Sequence, residues 1–328
     1  MRNKKLYLKR AAVICLMMSF SFMTFSGCEL KSDTPIVGKI IGLKSNEMFK
    51  VDELICSKAE YMLAMLATEK QYKADFGEDV DWKAYVDENI TIEEFVKEKV
   101  KEDITVKYTL AAMAEKNNVT LSDEEKTDIS NRASDDFASL TEEEKNYTEA
   151  ALDDVETLYT NYQLADKVYS KLTENVGNDI SEEDARVIKI QYIRMDSSST
   201  KVSKIKSTLK EIKSVVEGGY QEFSREAKQY SSDDTIERKI KKSEASAAYE
   251  ITAFQLTKGK VSDIIEDGNN YYLVYCVDNY MKDETAANKQ EMIENAKEQI
   301  FNEQYNKFIG ASDCDFNNNQ WKKIELLQ

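Results

Sequence analysis

Any chemistry in this chain has to be done without histidine, which is absent from its 328 residues. The commonest general base and the commonest metal ligand are therefore missing. The five cysteines, Cys15, Cys28, Cys56, Cys276 and Cys314, are widely spaced and include no C-x-x-C pair. That spacing supports neither a zinc site nor a disulfide framework. No nucleophilic triad or phosphate-binding loop stands out, and the expected cofactor and metal content is none. Cys56, Cys276 and Cys314 read most simply as small apolar residues.

Cys28 has a different setting. Arg2, Lys4, Lys5, Lys9 and Arg10 form a basic start, and Ala11 to Phe25 is an apolar stretch of fifteen residues, short for a membrane span. It ends in Phe25-Ser26-Gly27-Cys28, small residues directly before a cysteine. This resembles the lipobox of bacterial lipoproteins, although Phe25 departs from the usual Leu or Val. The resemblance implies a signal peptide over 1–27, lipidation of Cys28 and a tether over 28–47 that contains Pro35, the one proline. An uncleaved anchor with an incidental cysteine is the alternative. Either outcome puts the rest of the protein outside the cytoplasm, on the outer face of the cytoplasmic membrane. With the signal go five basic residues, so 45 basic side chains become 40 against 61 acidic, and the net charge moves from −16 to −21. A chain that acidic is not expected to bind nucleic acid.

After the tether the sequence is written mostly for helices. Lys39 to Val51 suggests an extended arm, and Asp52 is a candidate N-cap for a helix reaching about Asp75 and stopped by Gly77. Three later starts share one grammar, a Ser or Thr followed three residues on by Glu: Thr91 and Glu94, Ser122 and Glu125, Thr141 and Glu144. Such capping boxes predict helices over about 92–117, 122–138 and 144–175. The last carries Leu152, Val155, Leu158, Tyr159, Tyr162, Leu164, Val168 and Leu172 as a stripe, either core or a groove for apolar peptide segments. A long charged helix over Thr285 to Ile309 ends at Gly310, and the tail from Trp321 through Ile324 to Leu327 could add a strand.

Between these helices lies a different pattern. Val187 to Met195 and Asn270 to Val277 are strand-like, and 261–266 adds a third run joined to the latter by the hairpin chemistry of Asp267-Gly268-Asn269-Asn270. Helical patterns occupy Val202 to Val216, Tyr220 to Tyr230 and Ala245 to Leu256, with a short strand over Thr235 to Ile240. The order is β-α-α-β-α-β-β.

This insert resembles the parvulin-type peptidyl-prolyl isomerase domain. Ala253-Phe254-Gln255-Leu256-Thr257-Lys258-Gly259-Lys260-Val261-Ser262 fits the family pattern A-F-x-L-x-x-G-x-[VI]-S. Gly218-Gly219, Phe223, Ala227, then Ser231 and Asp233 resemble the family's G-G-x-x-F-x-x-x-A and S-x-D, with one extra residue between Gly219 and Phe223. The whole chain looks like the PrsA-like and SurA-like lipoprotein foldases. The resemblance implies an α+β fold: a mostly helical N-terminal chaperone-like domain over 48–180, completed by a C-terminal helix and tail over 283–328, with an inserted parvulin-like (FKBP-like) lobe over 186–280. It also implies a shallow apolar cup for a proline ring beside two histidines and a Cys or Asp. Carried over, the histidine positions fall on Tyr192 and Tyr272, the acidic position on Asp233, the aromatic floor on Tyr249 and a neighbouring methionine on Ala245. Phe254 flanks the cup and reads more readily as core. The glycine-rich phrase that normally follows the acidic residue is replaced by Thr235 to Lys242.

The implied function is a membrane-anchored, extracytoplasmic foldase for secreted proteins whose isomerase activity is weak or lost. The expected partners are unfolded or partly folded secreted polypeptides, and the membrane through the lipid on Cys28. Two alternatives stand beside it: an active isomerase using Asp233, Tyr192 and Tyr272 in altered roles, and a non-catalytic binding lipoprotein that uses the scaffold for one surface partner.

Overall fold

The structure, a computed structural model, describes residues 42–86 and 88–327. The signal over 1–27, the lipidation candidate Cys28 and most of the tether lie outside the described residues. The chain divides into two compact units, Met1–Glu174 with Phe301–Gln328, and Asn175–Ile300.

In the first unit β1 (Glu47–Val51) and β2 (Leu54–Ser57) form a hairpin, and β1 is the middle strand of three. Here the expected N-cap at Asp52 is corrected. Asp52 sits at the hairpin turn with φ +48°, and its carboxylate accepts from the Ser312 hydroxyl (3.0 Å) and the Asp313 amide (2.9 Å). The helix α1 (Lys58–Phe76) starts later because Ser57 and Glu60 make a full capping box, at 3.1 and 2.9 Å. Leu54 and Ile55 therefore belong to a strand. Gly77 ends α1 at φ +106°, a conformation only glycine adopts readily.

The three other capping boxes are all formed, opening α2 (Ile92–Ala112), α3 (Asp123–Ser139) and α4 (Glu142–Thr148). The expected single helix over 144–175 is in fact two. Glu149 turns left-handed at φ +54°, the Ala151 amide donates to Asp154 Oδ2 at 2.8 Å, and α5 (Leu152–Thr173) begins afresh. Asp154 thus opens a helix without a Ser or Thr cap. Val155, Leu158, Tyr159, Tyr162 and Val168 of the stripe are buried against α1 and α2, and the first four also line an apolar pocket with Leu63, Leu66, Phe137 and Leu140. The tail strand is also displaced from its expected place. β7 (Cys314–Phe316) pairs antiparallel with β1, Phe49 opposite Phe316, while Trp321 ends a helical turn over Asn318–Trp321 (α10) capped by the Asn317 side chain. Ile324 and Leu326 are buried in irregular chain.

The second unit holds a four-stranded antiparallel sheet in the order β4-β3-β6-β5. Its elements are β3 (Val187–Asp196), α6 (Val202–Glu217), α7 (Phe223–Tyr230), β4 (Glu237–Lys241), a 3₁₀ turn Lys242–Glu244, α8 (Ala248–Ala253), β5 (Ile265–Asp267) and β6 (Asn270–Asp278). The order is the expected β-α-α-β-α-β-β, with shorter elements than the pattern suggests. The run at 261–266 contributes a single bridge from Val261 to Tyr275 before β5, and the helix over 245–256 is reduced to six residues. Strand alternation splits the sheet into two faces. Ile193 and Leu273 meet Ile205, Leu209 and Phe223 of α6 and α7 on one face. Ile188, Ile190, Tyr192, Tyr272 and Val274 meet Tyr249 and Ala253 of α8 on the other. The helix α9 (Lys282–Ile309) begins in this unit, where the Thr285 hydroxyl accepts from the Val187 amide at 3.0 Å and Asn288 donates to the Ala185 carbonyl at 2.8 Å. Past Phe301, the same helix supplies Phe301, Tyr305 and Phe308 to the core of the first unit.

Candidate functional site

The sheet face under α8 collects the chemistry. Antiparallel register sets Tyr192 opposite Val274, Arg194 opposite Tyr272 and Ile190 opposite Arg238, and directly opposed residues share a face. Tyr192, Arg194, Arg238 and Tyr272 therefore project to the same side. Above them α8 brings Tyr249, whose ring stacks on Tyr272 with centroids 4.5 Å apart and planes 12° from parallel. Tyr249 and Tyr192 lie 5.4 Å apart, and Tyr192 and Tyr272 6.4 Å. The three phenols make one aromatic cluster in which Tyr192, Tyr249 and Tyr272 are only 6%, 6% and 8% exposed. Such offset and tilted pairs each add about 0.5–1.5 kcal/mol beyond the area they bury. Ala245 and Phe254 pack on the margin of this cluster. The Phe254 ring lies 5.2 Å from the Arg186 guanidinium, which also donates to the Phe254 carbonyl at 3.0 Å.

Asp233 follows α7 in a loop tied to β3. The Ser231 hydroxyl accepts from the amides of Arg194 and Asp233 at 3.2 and 3.3 Å, and the Ser232 amide donates to the Arg194 carbonyl at 2.7 Å. This brings the carboxylate into the fork of Arg194: Nε donates to Oδ1 at 2.8 Å and Nη2 lies 2.6 Å from the same oxygen. Arg194 Nη1 also donates to the Asn270 side chain at 2.9 Å. The guanidinium holds the Asp233 carboxyl below the usual aspartate range. Burial, and then the Asp233 charge, raises the Tyr192 phenol. Burial pushes Tyr249 up to about 12, and Tyr272 is raised for the same reason. All three tyrosines are thus neutral phenols at physiological pH, and Asp233 is an ion-paired carboxylate.

A second polar group closes the other margin. The Arg238 guanidinium donates to the Tyr249 hydroxyl and, at 3.0 Å, to Glu250 Oε1, and the Tyr249 hydroxyl donates to the same carboxylate at 3.2 Å. Burial opposes ionisation of Glu250, but hydrogen bonds from the Ser246 and Ala247 amides outweigh it and its carboxyl is lowered.

The site residues expected from the sequence, Tyr192, Tyr249, Tyr272 and Asp233, are therefore brought to one face, with Ala245 and Phe254 at its edge. Sequence reasoning missed Arg194, Arg238 and Glu250. Arg194 was within reach, since it lies two residues beyond Tyr192 on a strand and so shares its face. Arg238 and Glu250 required the register of β4 and the placement of α8. Chemically the cluster offers phenol donors and two engaged carboxylates, Asp233 and Glu250. Among the described residues, no group of three or more acidic or thiol side chains is placed to hold a metal ion. Among the same residues, no helix is long and apolar enough to cross a membrane.

Comparison with known proteins bears on the second unit. Residues 188–278 match the rotamase family, described as the PPIC-type PPIASE domain. No curated protein matches the chain. Among solved structures it is similar to the foldase protein PrsA from Streptococcus pneumoniae, at 16% identity over 74% of this chain and 97% of that one, with a TM-score of 0.31. It is also similar to a peptidylprolyl isomerase (PrsA) from Bacillus cereus, at 14% identity over 85% and 97%, TM-score 0.31. A structure described among SurA-like chaperones of Campylobacter jejuni is similar at 10% identity over 83% and 99%, TM-score 0.28. The domain match spans the strands and helices that surround the aromatic cluster. On those grounds the lobe at 188–278 belongs to the PPIC-type, or parvulin-type, peptidyl-prolyl isomerase family.

Proposed function

We propose that this chain is a lipid-anchored, extracytoplasmic chaperone-foldase for secreted polypeptides, in which the parvulin-type lobe over 186–280 turns prolines over slowly or not at all. One observation carries the reading: the aromatic face is packed on itself, with Tyr249 stacked on Tyr272 and Asp233 held by Arg194. Prolyl isomerisation breaks no covalent bond. Its barrier of roughly 18–20 kcal/mol comes from lost amide resonance, so catalysis means holding the twisted amide better than the planar one. That needs an open seat for the ring and a free polar group beside it. Here the seat is filled by the lobe's own phenols, and the acidic group is neutralised by its neighbour.

The N-terminal pattern supports the anchoring, with Cys28 as the acylated residue and residues 48–180 with 283–328 as the helical chaperone-like part. The test pairs two assays on the same preparation, isomerisation of a proline-containing peptide and suppression of aggregation of an unfolded protein. The reading expects suppression with little or no turnover; activity in neither assay overturns it. A second reading, an active isomerase that works through Asp233, Tyr192 and Tyr272, is favoured by the adjacency of the Tyr192 phenol and the Asp233 carboxylate. Under it Asp233→Ala lowers whatever turnover the wild type has.

A further inference from the structure

The sheet of the second unit stops at β4, and the direction of its backbone groups can be worked out. The Tyr192 amide donates to the Ile236 carbonyl, and the Lys242 amide to the Arg186 carbonyl. Those bonds frame the β3–β4 ladder, in which Ile188 faces Ile240 and Ile190 faces Arg238. Hydrogen-bonded pairs alternate along an antiparallel ladder, so the even-numbered residues of β4 point their amides at β3. The odd-numbered ones, Glu237, Lys239 and Lys241, point N–H and C=O away from the sheet. Among the described residues, nothing pairs with that outward edge. Glu237, Arg238 and Lys239 are exposed. A cleft of about 390 Å³, lined also by Val187 of β3, lies between Lys239, Lys241 and Glu244 on one side and Glu284, Asn288 and Glu291 of α9 on the other. Lys239 and Lys241 reach across to Glu284 at 2.6 Å and Glu291 at 2.9 Å.

We propose that the outer edge of β4 binds an extended segment of unfolded polypeptide by strand addition, its backbone pairing with the amides of Glu237, Lys239 and Lys241. Outward donor and acceptor pairs recurring about every 7 Å are matched by another extended backbone and by few other ligands. This recognition needs no particular side-chain sequence, as a chaperone's clients require, and it rests on the proposed function for the identity of its partner. The charges select among occupants. Glu237, Arg238, Lys239 and Lys241 make a net basic strand in a chain of net charge −16. An antiparallel copy centred on Lys239 would set that lysine against itself, and like charges directly opposite are unfavourable. A neutral segment meets no such conflict, and the charges of Lys239 and Lys241 are already met by Glu284 and Glu291.

Proline at an edge position whose N–H faces outward leaves the inner ladder intact. Lys239→Pro therefore removes one outward donor while the bonds from Arg238 and Ile240 to β3 survive, and Lys239→Ala removes the side chain but keeps the amide. The probe is a fluorescein-labelled short peptide alternating threonine and glutamine, titrated against the full chain and followed by anisotropy. The expected result is binding to wild type and Lys239→Ala, about five- to tenfold weaker binding to Lys239→Pro, and none by the fully N-methylated peptide. A melting curve for Lys239→Pro like that of wild type shows the sheet is kept. If it is not, the N-methylated peptide alone decides. Equal binding by the N-methylated peptide, or by the proline variant, overturns the proposal, as does sedimentation showing a wild-type dimer that Lys239→Pro dissociates. Aggregation suppression separates this site from the chaperone reading. Suppression by wild type with no amide-dependent peptide binding removes the edge site alone. Amide-dependent binding without suppression removes the chaperone reading alone.

Discussion

Glu69 offers a quantitative test of how the first unit is held together. It is 1% exposed on α1, where its carboxylate accepts from the Tyr147 hydroxyl at 2.6 Å and the Leu327 amide at 2.9 Å. It therefore fastens the C-terminal tail and α4 to α1. Burial is the largest influence on this carboxyl and outweighs both hydrogen bonds and the Lys73 charge, raising it from 4.5 to about 7. A folded-state value above the unfolded one means that folding takes up a proton between the two. The group's contribution is fully present below pH 4.5 and is lost as pH rises through 7. At 1.36 kcal/mol per pH unit, that interval corresponds to about 3 kcal/mol. Glu69→Gln keeps the shape and cannot ionise, so its stability minus that of wild type should rise by about 3 kcal/mol between pH 4.5 and 8.5. Background titration is small, because the chain has no histidine to change charge in this window. Glu60 and Asp103, raised chiefly by burial as well, titrate in both proteins and cancel in the difference. Urea unfolding followed by tryptophan fluorescence isolates the right unit, since Trp82 and Trp321 both lie in the first. A stability difference that stays flat across the range, or falls with pH, refutes the reasoning and means that Tyr147 and Leu327 satisfy the charged form.

Three further outcomes test the site and the second unit. Arg194→Ala should let the Asp233 carboxyl rise from its depressed position, seen in a carbon-13 NMR titration, and cost about 1 kcal/mol for a pair that is each about a quarter exposed; an unmoved titration shows that the loop and not the guanidinium sets Asp233. In the wild type that pair adds stability above pH 3.8 and loses it as pH falls through the lowered value. Tyr249→Ala, which removes a ring stacked at 4.5 Å, should destabilise the lobe by about 3–5 kcal/mol, whereas Tyr249→Phe, losing only the bonds to Arg238 and Glu250, should cost about 1 kcal/mol. Equal losses for the two, measured by denaturant unfolding, would mean that the hydroxyl and not the stack closes the cluster. Gly177 has φ +81° and would bring a Cβ within 2.9 Å of Ile293 Cγ1, so Gly177→Ala should cost about 1–3 kcal/mol; a neutral change in melting temperature would show that Ile293 yields.

Most of the signals that were legible are ones where the physics is local. The boxes at Thr91, Ser122 and Thr141 each involve one hydroxyl, one carboxylate and two amides within four residues, so they close without a distant partner, although Lys167 and Lys70 also reach the carboxylates of Glu125 and Glu144. Strand alternation in 187–195 and 270–277 likewise sets Tyr192 and Tyr272 on faces before any partner is known. Two failures were local, the Ser57–Glu60 box that opens α1 and the restart of α5 at Asp154, and the others came where a distant group decides. Asp52 looks like a cap, but it is at a turn because Ser312 and Asp313 draw its carboxylate, from residues 260 and 261 positions away. Trp321 to Leu327 was the more apolar tail segment, yet Cys314 to Phe316 is the strand because β1 had an open edge to offer it.

The candidate site divides along the same line. The sequence by itself determined the absence of histidine, the β-α-α-β-α-β-β order, and the residue types at positions 192, 233 and 272. Only the tertiary structure decided that Asp233 is held by Arg194, that Arg238 and Glu250 clamp the Tyr249 hydroxyl, and that three phenols close over one another. Residue type is written into the chain, but whether a side chain is free or spent depends on which neighbours the strand register and helix packing deliver. That is settled across separations of 39 residues for Arg194 and Asp233, beyond the reach of any local pattern.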